Sequence, residues 1–256
     1  MSRWGCYVNA AAPQQGGNAF GQEFGQPPTG VGLSLKFDFI IIHESAHEWF
    51  GNSVTAADVS DMWIHEGWAT YLECLYVEHV FGYDDALRYV NGYKSKVQNR
   101  TPIITERGTH RVPPQDMYFK GALFLNTLRS VVNDDSRWWK VLHDFYQRFK
   151  YQNIMTEDVV RFFNQRTGLD LTPIFDQYLR YAAIPTLELT FNEKDKSVSY
   201  RWNADAKGFA MPVRAGKKGQ WRIVQPAAEW KTMQNPLTRE EFDVATDLYY
   251  VNVKKQ

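Results

Sequence analysis

Two stretches carry the residue types best suited to chemistry: HESAHEWFGN at positions 43–52 and WIHEGWATY at positions 63–71. In an α-helix, residues four apart lie nearly one above the other, about 6 Å apart along the axis. His43 and His47 would then project side by side, with the bite two imidazoles need to grip one zinc ion at about 2.0–2.1 Å each. Glu44 is turned about 100° from His43, at the rim of that face. From there its carboxylate reaches a water on the metal instead of the metal itself. H-E-x-x-H is a recognised pattern for this division of labour. The competing reading is two histidines on a core face, each donating to a backbone carbonyl. Against it stands the setting: Phe37, Phe39, Ile40, Ile41, Ile42, Ala46, Trp49 and Phe50 surround the cluster, where polar groups are costly without a partner. The second stretch also offers a third ligand, Glu66, and a hydrolytic zinc site needs three protein ligands and one open position.

KFDFIIIHESAHEWFGN (36–52) reads as a mostly apolar helix ending at Gly51, where glycine adopts a left-handed cap at no cost. A second helix spans about 60–81, with Asp58, Ser60 and Asp61 as N-cap candidates and Gly82 as its stop. Further helices are expected at about 84–98, 115–133, 136–150, 156–167 (Thr156 as N-cap, Gly168 as stop) and 172–182. From Pro185 onward, TLELTF, SVSYRW, QWRIV and LYYVNV alternate and are divided by turn-rich segments, which is strand-and-turn patterning. The expected fold is therefore α+β and multidomain. Residues 1–35 form a Gly/Gln-rich segment, loop or irregular strand, packed on the rest; 36–184 form a helical domain and 185–256 a small, all-β, sandwich-like one.

Composition excludes some classes of function. The 29 Lys and Arg balance 29 Asp and Glu, so no global field points to nucleic acid. No apolar run reaches the length of a membrane span, and the opening MSRWGCYVNAAAPQQGG lacks a continuous apolar signal region. Two cysteines, Cys6 and Cys74, are too few for a disulfide framework, and Cys74 reads as an inert buried thiol.

HESAHEWFGN, followed after eighteen intervening residues by Glu66, resembles the gluzincin signature HExxH-x18-E. More narrowly, HEWFGN, HEGWATY and the later MYFKGALFL (117–125) resemble the M1 family of zinc aminopeptidases, the last through its YxKG motif. The resemblance covers roughly residues 36–183 and implies a thermolysin-like catalytic domain. It implies one zinc ion per chain held by His43, His47 and Glu66, with Glu44 as general base. Tyr118 then matches the oxyanion-binding tyrosine, although by itself it would read as a core residue of an apolar helix. Peptides are the implied substrates, and removal of N-terminal residues the implied reaction. His65, where the family usually has asparagine, becomes a wall or surface residue, and Glu48 pairs with a cation. Thr70, on the Glu66 face, is a candidate partner for a ligand histidine. Glu73 could serve likewise or be an ordinary helix carboxylate. His79, His110 and His143 read as structural.

One family element is not found. A GxMEN segment, which captures the substrate's amino group, belongs some thirty residues before HExxH, but residues 9–18 read NAAAPQQGGN. Glu23 is the only nearby substitute. The chain is expected to be a naturally reduced form or a fragment, and two alternatives accompany the aminopeptidase reading. One is an endopeptidase or relaxed peptidase without an amine anchor; the other is a non-catalytic, zinc-containing module that binds peptides or a partner. Trp202, Trp221 and Trp230 of the β region face a similar choice between a surface recognition platform and ordinary inward packing.

Overall fold

Asp38 opens the first helix by capping it: its carboxylate accepts the Ile41 N–H at 3.3 Å, a cap of the kind commonly worth about 1 kcal/mol. The computed structural model describes residues 29–33 and 36–256; Cys6, Glu23 and the 9–18 segment lie outside them. Helix α1 runs only Phe39–Ala46, shorter than the apolar pattern implied. The next amides turn to carbonyls three residues back, His47 to Glu44 and Glu48 to Ser45, and the chain tightens into a turn. His47 keeps right-handed helical angles, φ −63° and ψ −17°, so its side chain stays in step with His43. Gly51 is not a helix cap. At φ +139° it lets the chain fold back over His47, where a Cβ would lie 3.2 Å from both His47 Nδ1 and His47 O.

The turn leads into β1 (Val54–Ala56), a short 3-10 turn capped by the Asp58 carboxylate on Ser60 N–H at 2.8 Å, and α2 (Trp63–Phe81). Then come α3 (Tyr83–Gly92) with a 3-10 turn at Tyr93–Lys96, α4 (Asp116–Val132) and α5 (Asp135–Phe149). Strand β2 (Gln152–Ile154) pairs parallel with β1, a pairing the sequence pattern did not signal. Helices α6 (Thr156–Thr167) and α7 (Thr172–Arg180) follow. Thr156 sits inside α6, whose N-cap is Met155. Its hydroxyl is taken up by tertiary contacts, accepting from Trp63 Nε1 at 2.7 Å and donating to Asp61.

The most extensive helix contact is α2 against α4, and two glycines permit it. A Cβ on Gly121 would lie 2.9 Å from Gly67 Cα, and one on Gly67 would lie 3.0 Å from Met117 O. Backbone meets backbone there, one residue from Glu66 and three from Tyr118, so any side chain at either glycine would push the two apart. On the other flank of α2, Phe50 stacks on Trp68 at 4.7 Å and Trp68 on Phe145 at 5.5 Å. Each such ring pair is worth about 0.5–1.5 kcal/mol beyond burial, and the stack pins the turn that follows His47.

Helices end at Arg180 and strands resume at Thr186. Strands β3 (Thr186–Asn192), β4 (Ser197–Asn203), β7 (Lys231–Gln234) and β9 (Asn252–Lys255) form a sheet in the order β7-β4-β3-β9. Strands β5 (Val213–Lys217), β6 (Gln220–Val224) and β8 (Phe242–Val244) form a second, ordered β6-β5-β8. LYYVNV contributes only its end to a strand, because Leu248, Tyr249, Tyr250 and Val251 are buried against the helices instead. Tyr250 N–H donates to Thr127 Oγ1 at 2.9 Å and Tyr178 OH to Tyr250 O at 2.7 Å. Trp202 is buried and donates to Met211 O, whereas Trp230 is exposed beneath the Arg201 guanidinium; inward packing is thus the fate of the first. Cys74 is a free, buried thiol. No helix among the described residues is long and apolar enough to cross a membrane.

Candidate metal centre

The turn after α1 and the start of α2 bring His43, His47 and Glu66 together, with ligand-capable atoms all within 4.8 Å of one another. Glu66 Oε2 lies 3.2 Å from His43 Nε2 and 3.3 Å from His47 Nε2. Two atoms bound tetrahedrally to one zinc at about 2.0–2.1 Å would be roughly 3.4 Å apart, so the donor set fits the ion. Each histidine is also oriented from behind. His47 Nδ1 donates to Phe50 O at 2.9 Å, and His43 Nδ1 lies 2.8 Å from Glu73 Oε1. Both Nε2 atoms thereby face Glu66.

The electrostatics are those of a cage that attracts a cation. Burial by itself lowers the His43 pKa, but hydrogen bonds and charge from Glu66 and Glu73 outweigh it and push it up to about 10. Burial would raise Glu66, yet the two histidines bring it down to about 2. Glu44 is half-buried at the rim, raised by burial and partly offset by the histidines. Its Oε2 is buried with no hydrogen-bond partner among the described residues. Tyr118, half-buried on α4, has its ring 6.0 Å from that of His43. Burial and the Glu66 and Glu44 carboxylates raise its pKa, so the phenol keeps its proton. These groups line one cavity of about 240 Å³, whose apolar walls include Phe39, Ile40 and Phe119.

Other expectations change at this level. Of the two places expected for His65, wall or surface, the surface is ruled out: it is buried, and its Nε2 accepts the Ala56 N–H at 2.7 Å. It ties β1 to α2, and burial lowers its pKa to about 4. Glu48 accepts from Asn52 Nδ2 instead of pairing with a cation. Thr70 lines the cavity, but its buried hydroxyl has no partner among the described residues, and it is Glu73 that holds His43. His79, His110 and His143 are exposed and away from the cluster. Tyr89 and Tyr93, which both donate to Glu73, escaped the sequence reading. Their spacing of four on a helix was the one available signal, and it is shared by many core pairs.

Residues 34–178 match the family model described as the Peptidase family M1 domain. Aminopeptidase N of Mus musculus is 27% identical over 175 residues, which cover 60% of this chain and 18% of that protein. Aminopeptidase A of Legionella pneumophila, solved in complex with aspartic acid, aligns over 90% of this chain and 28% of its own, with TM-score 0.69 and 17% identity. A variant of the M1 zinc metallopeptidase of Deinococcus radiodurans, solved with a Tyr-Ser-Ala substrate, covers 59% of this chain and 34% of its own. Its TM-score is 0.51 and its identity 25%. The chain therefore spans about a fifth of the length of the curated relative and about a third or less of the solved ones.

Proposed function

This chain belongs to peptidase family M1, and from that premise we propose that it is a zinc-dependent peptidase that removes N-terminal residues from peptides. The observation that carries the reading is the His43–His47–Glu66 cluster with Glu44 Oε2, unpaired among the described residues, at its rim. His43, His47 and Glu66 would hold one zinc ion per chain, which when bound supplies Lewis acidity toward a carbonyl and acidifies a water. Glu44 takes the proton of the attacking water on its carboxylate and delivers it to the leaving amine. Tyr118 donates its phenolic hydrogen toward the scissile carbonyl oxygen as negative charge develops there, an effect commonly worth about 3–4 kcal/mol. Phe39, Ile40 and Phe119 give the cavity around these groups apolar walls.

The aminopeptidase names of the relatives and the tripeptide bound to the Deinococcus enzyme support the choice of substrate. In this reading residues 36–184 carry the chemistry as a gluzincin catalytic unit, and 185–256 support it. The two C-terminal sheets are read as a small sandwich, supported by Phe191 of β3 meeting Phe242 of β8 edge to face at 5.6 Å. The test is a metal analysis paired with a digest of a defined peptide mixture read by mass spectrometry. One zinc per chain with stepwise loss of N-terminal residues is expected. Equal cleavage of free and N-terminally blocked peptides would overturn the aminopeptidase assignment; zinc binding without cleavage would overturn the catalytic one.

A further inference from the structure

Glu73 lies behind His43, and no step of the proposed reaction uses it. Its two oxygens have separate tasks. Oε1 lies 2.8 Å from His43 Nδ1, while Oε2 accepts two phenols at once, Tyr89 at 2.9 Å and Tyr93 at 2.7 Å. Glu73 is 4% exposed and both tyrosines are 0% exposed. Bulk water cannot replace any of these partners, so losing one leaves a buried polar atom unpaired.

We infer that Tyr89 and Tyr93 are positioning residues of the metal centre, fixing the Glu73 carboxylate so that it holds His43 in its ligating orientation. The terminal torsion of a glutamate is broad, and one bond to an imidazole would leave the carboxylate free to swing. Two phenols on the far oxygen remove that freedom. With Oε1 held in place, the proton of neutral His43 belongs on Nδ1 and the Nε2 lone pair is left for the metal. Both phenols remain donors, since burial and the Glu73 charge raise their pKa values.

Helix α3 and the 3-10 turn after it, which carry Tyr89 and Tyr93 in that order, are themselves anchored. Tyr89 and Tyr93 are four residues apart and so share one face, their rings edge to face at 5.4 Å. From the helix, Asn91 Nδ2 donates to Asp247 O at 2.8 Å, and from the 3-10 turn Lys94 Nζ donates to Thr246 O at 2.7 Å. The chain beyond the helices thus steadies the clamp on Glu73 without reaching the cavity.

This inference rests on the zinc reading of the site, and the experiment separates the two. Zinc dissociation constants of the parent, Tyr89→Phe, Tyr93→Phe, the double variant and Glu73→Ala would be measured by competition with a chromogenic chelator. Unfolding midpoints of the same proteins without metal would be recorded alongside. Each single Phe variant should bind zinc more weakly than the parent, and the double variant by roughly ten- to a hundredfold. In the Glu73→Ala background the same Tyr→Phe changes should leave the constant unaltered. Phe variants that bind zinc as tightly as the parent, whatever their midpoints, sink the inference alone. So does a loss of equal size in the Glu73→Ala background. A parent that binds no zinc sinks the zinc reading and the inference with it. Should the double variant fail to fold, the single variants decide by the same criterion.

Discussion

Glu73 on the inner wall of the cavity and Glu44 at its rim are two carboxylates in opposite states of satisfaction. Glu73 is bonded to His43, Tyr89 and Tyr93, and nothing about it is left free to react. Glu44 keeps a buried oxygen without a partner among the described residues, a condition that costs about 1–3 kcal/mol when nothing offsets it. The difference separates two jobs that one residue type can do. A carboxylate saturated with donors orients its neighbour; one left short of donors is available to a substrate or a water. Tyr118 lines the same cavity without a bond to Glu73, whereas Tyr89 and Tyr93 spend their hydroxyls on that carboxylate.

The contrast breaks most completely at the ligands. Glu66→Ala should lose stoichiometric zinc and bring peptidase activity to background, as read by metal analysis and hydrolysis of an aminoacyl anilide. Glu44→Gln should bind zinc as the parent does yet lose about 10²–10⁴ in kcat/KM, the range expected for a general base. Weak zinc binding by that variant would move Glu44 from rim to wall. Tyr118→Phe should lower kcat by about 10²–10³ with little change in KM, and a change confined to KM would deny it the oxyanion role.

The remaining two predictions concern the scaffold that keeps wall and rim in register. Gly121→Ala places a Cβ 2.9 Å from the Gly67 backbone and should cost about 1–3 kcal/mol in denaturant unfolding. An unchanged midpoint would mean that α2 and α4 separate without penalty. The smallest effect belongs to Lys120, fully buried and donating to Tyr181 O and Ala182 O at the end of α7. Burial lowers its pKa from 10.5 to about 8, against the opposing pull of Asp116. Between those values the unfolded chain holds the proton and the folded chain has released it, so this residue makes stability rise with pH across that window. Lys120→Met should flatten the rise relative to the parent, as followed by thermal unfolding at a series of pH values.

Much of the fold was legible because its signals are local. Periodicity marked the helices from α2 onward to within a few residues, except that α3 stops at Gly92 and tightens into a 3-10 turn where a helix to about 98 was expected, and alternation marked β3, β4 and β6. The misreadings arose where a distant group competed for a local one. Helix α1 stops at Ala46 because the following amides shift to a tighter turn and the Phe50 carbonyl is claimed by His47. Thr156 gave up its capping role to Asp61 and Trp63. Tyr249 and Tyr250 left the strand pattern for the helical core.

The same division runs through the candidate site. The sequence by itself determined that His43 and His47 share a face and that Glu44 stands beside it, because a four-residue step is a property of the helix backbone alone. That Glu66 meets both histidines depends on α2 crossing α1. That Glu73 rather than Thr70 takes His43, and that Tyr89 and Tyr93 hold Glu73, depends on how α3 packs against α2. Those contacts span sixteen to thirty residues, and only the close-packed tertiary arrangement, with Gly67 against Gly121 at its centre, fixes which polar groups are near enough to bond.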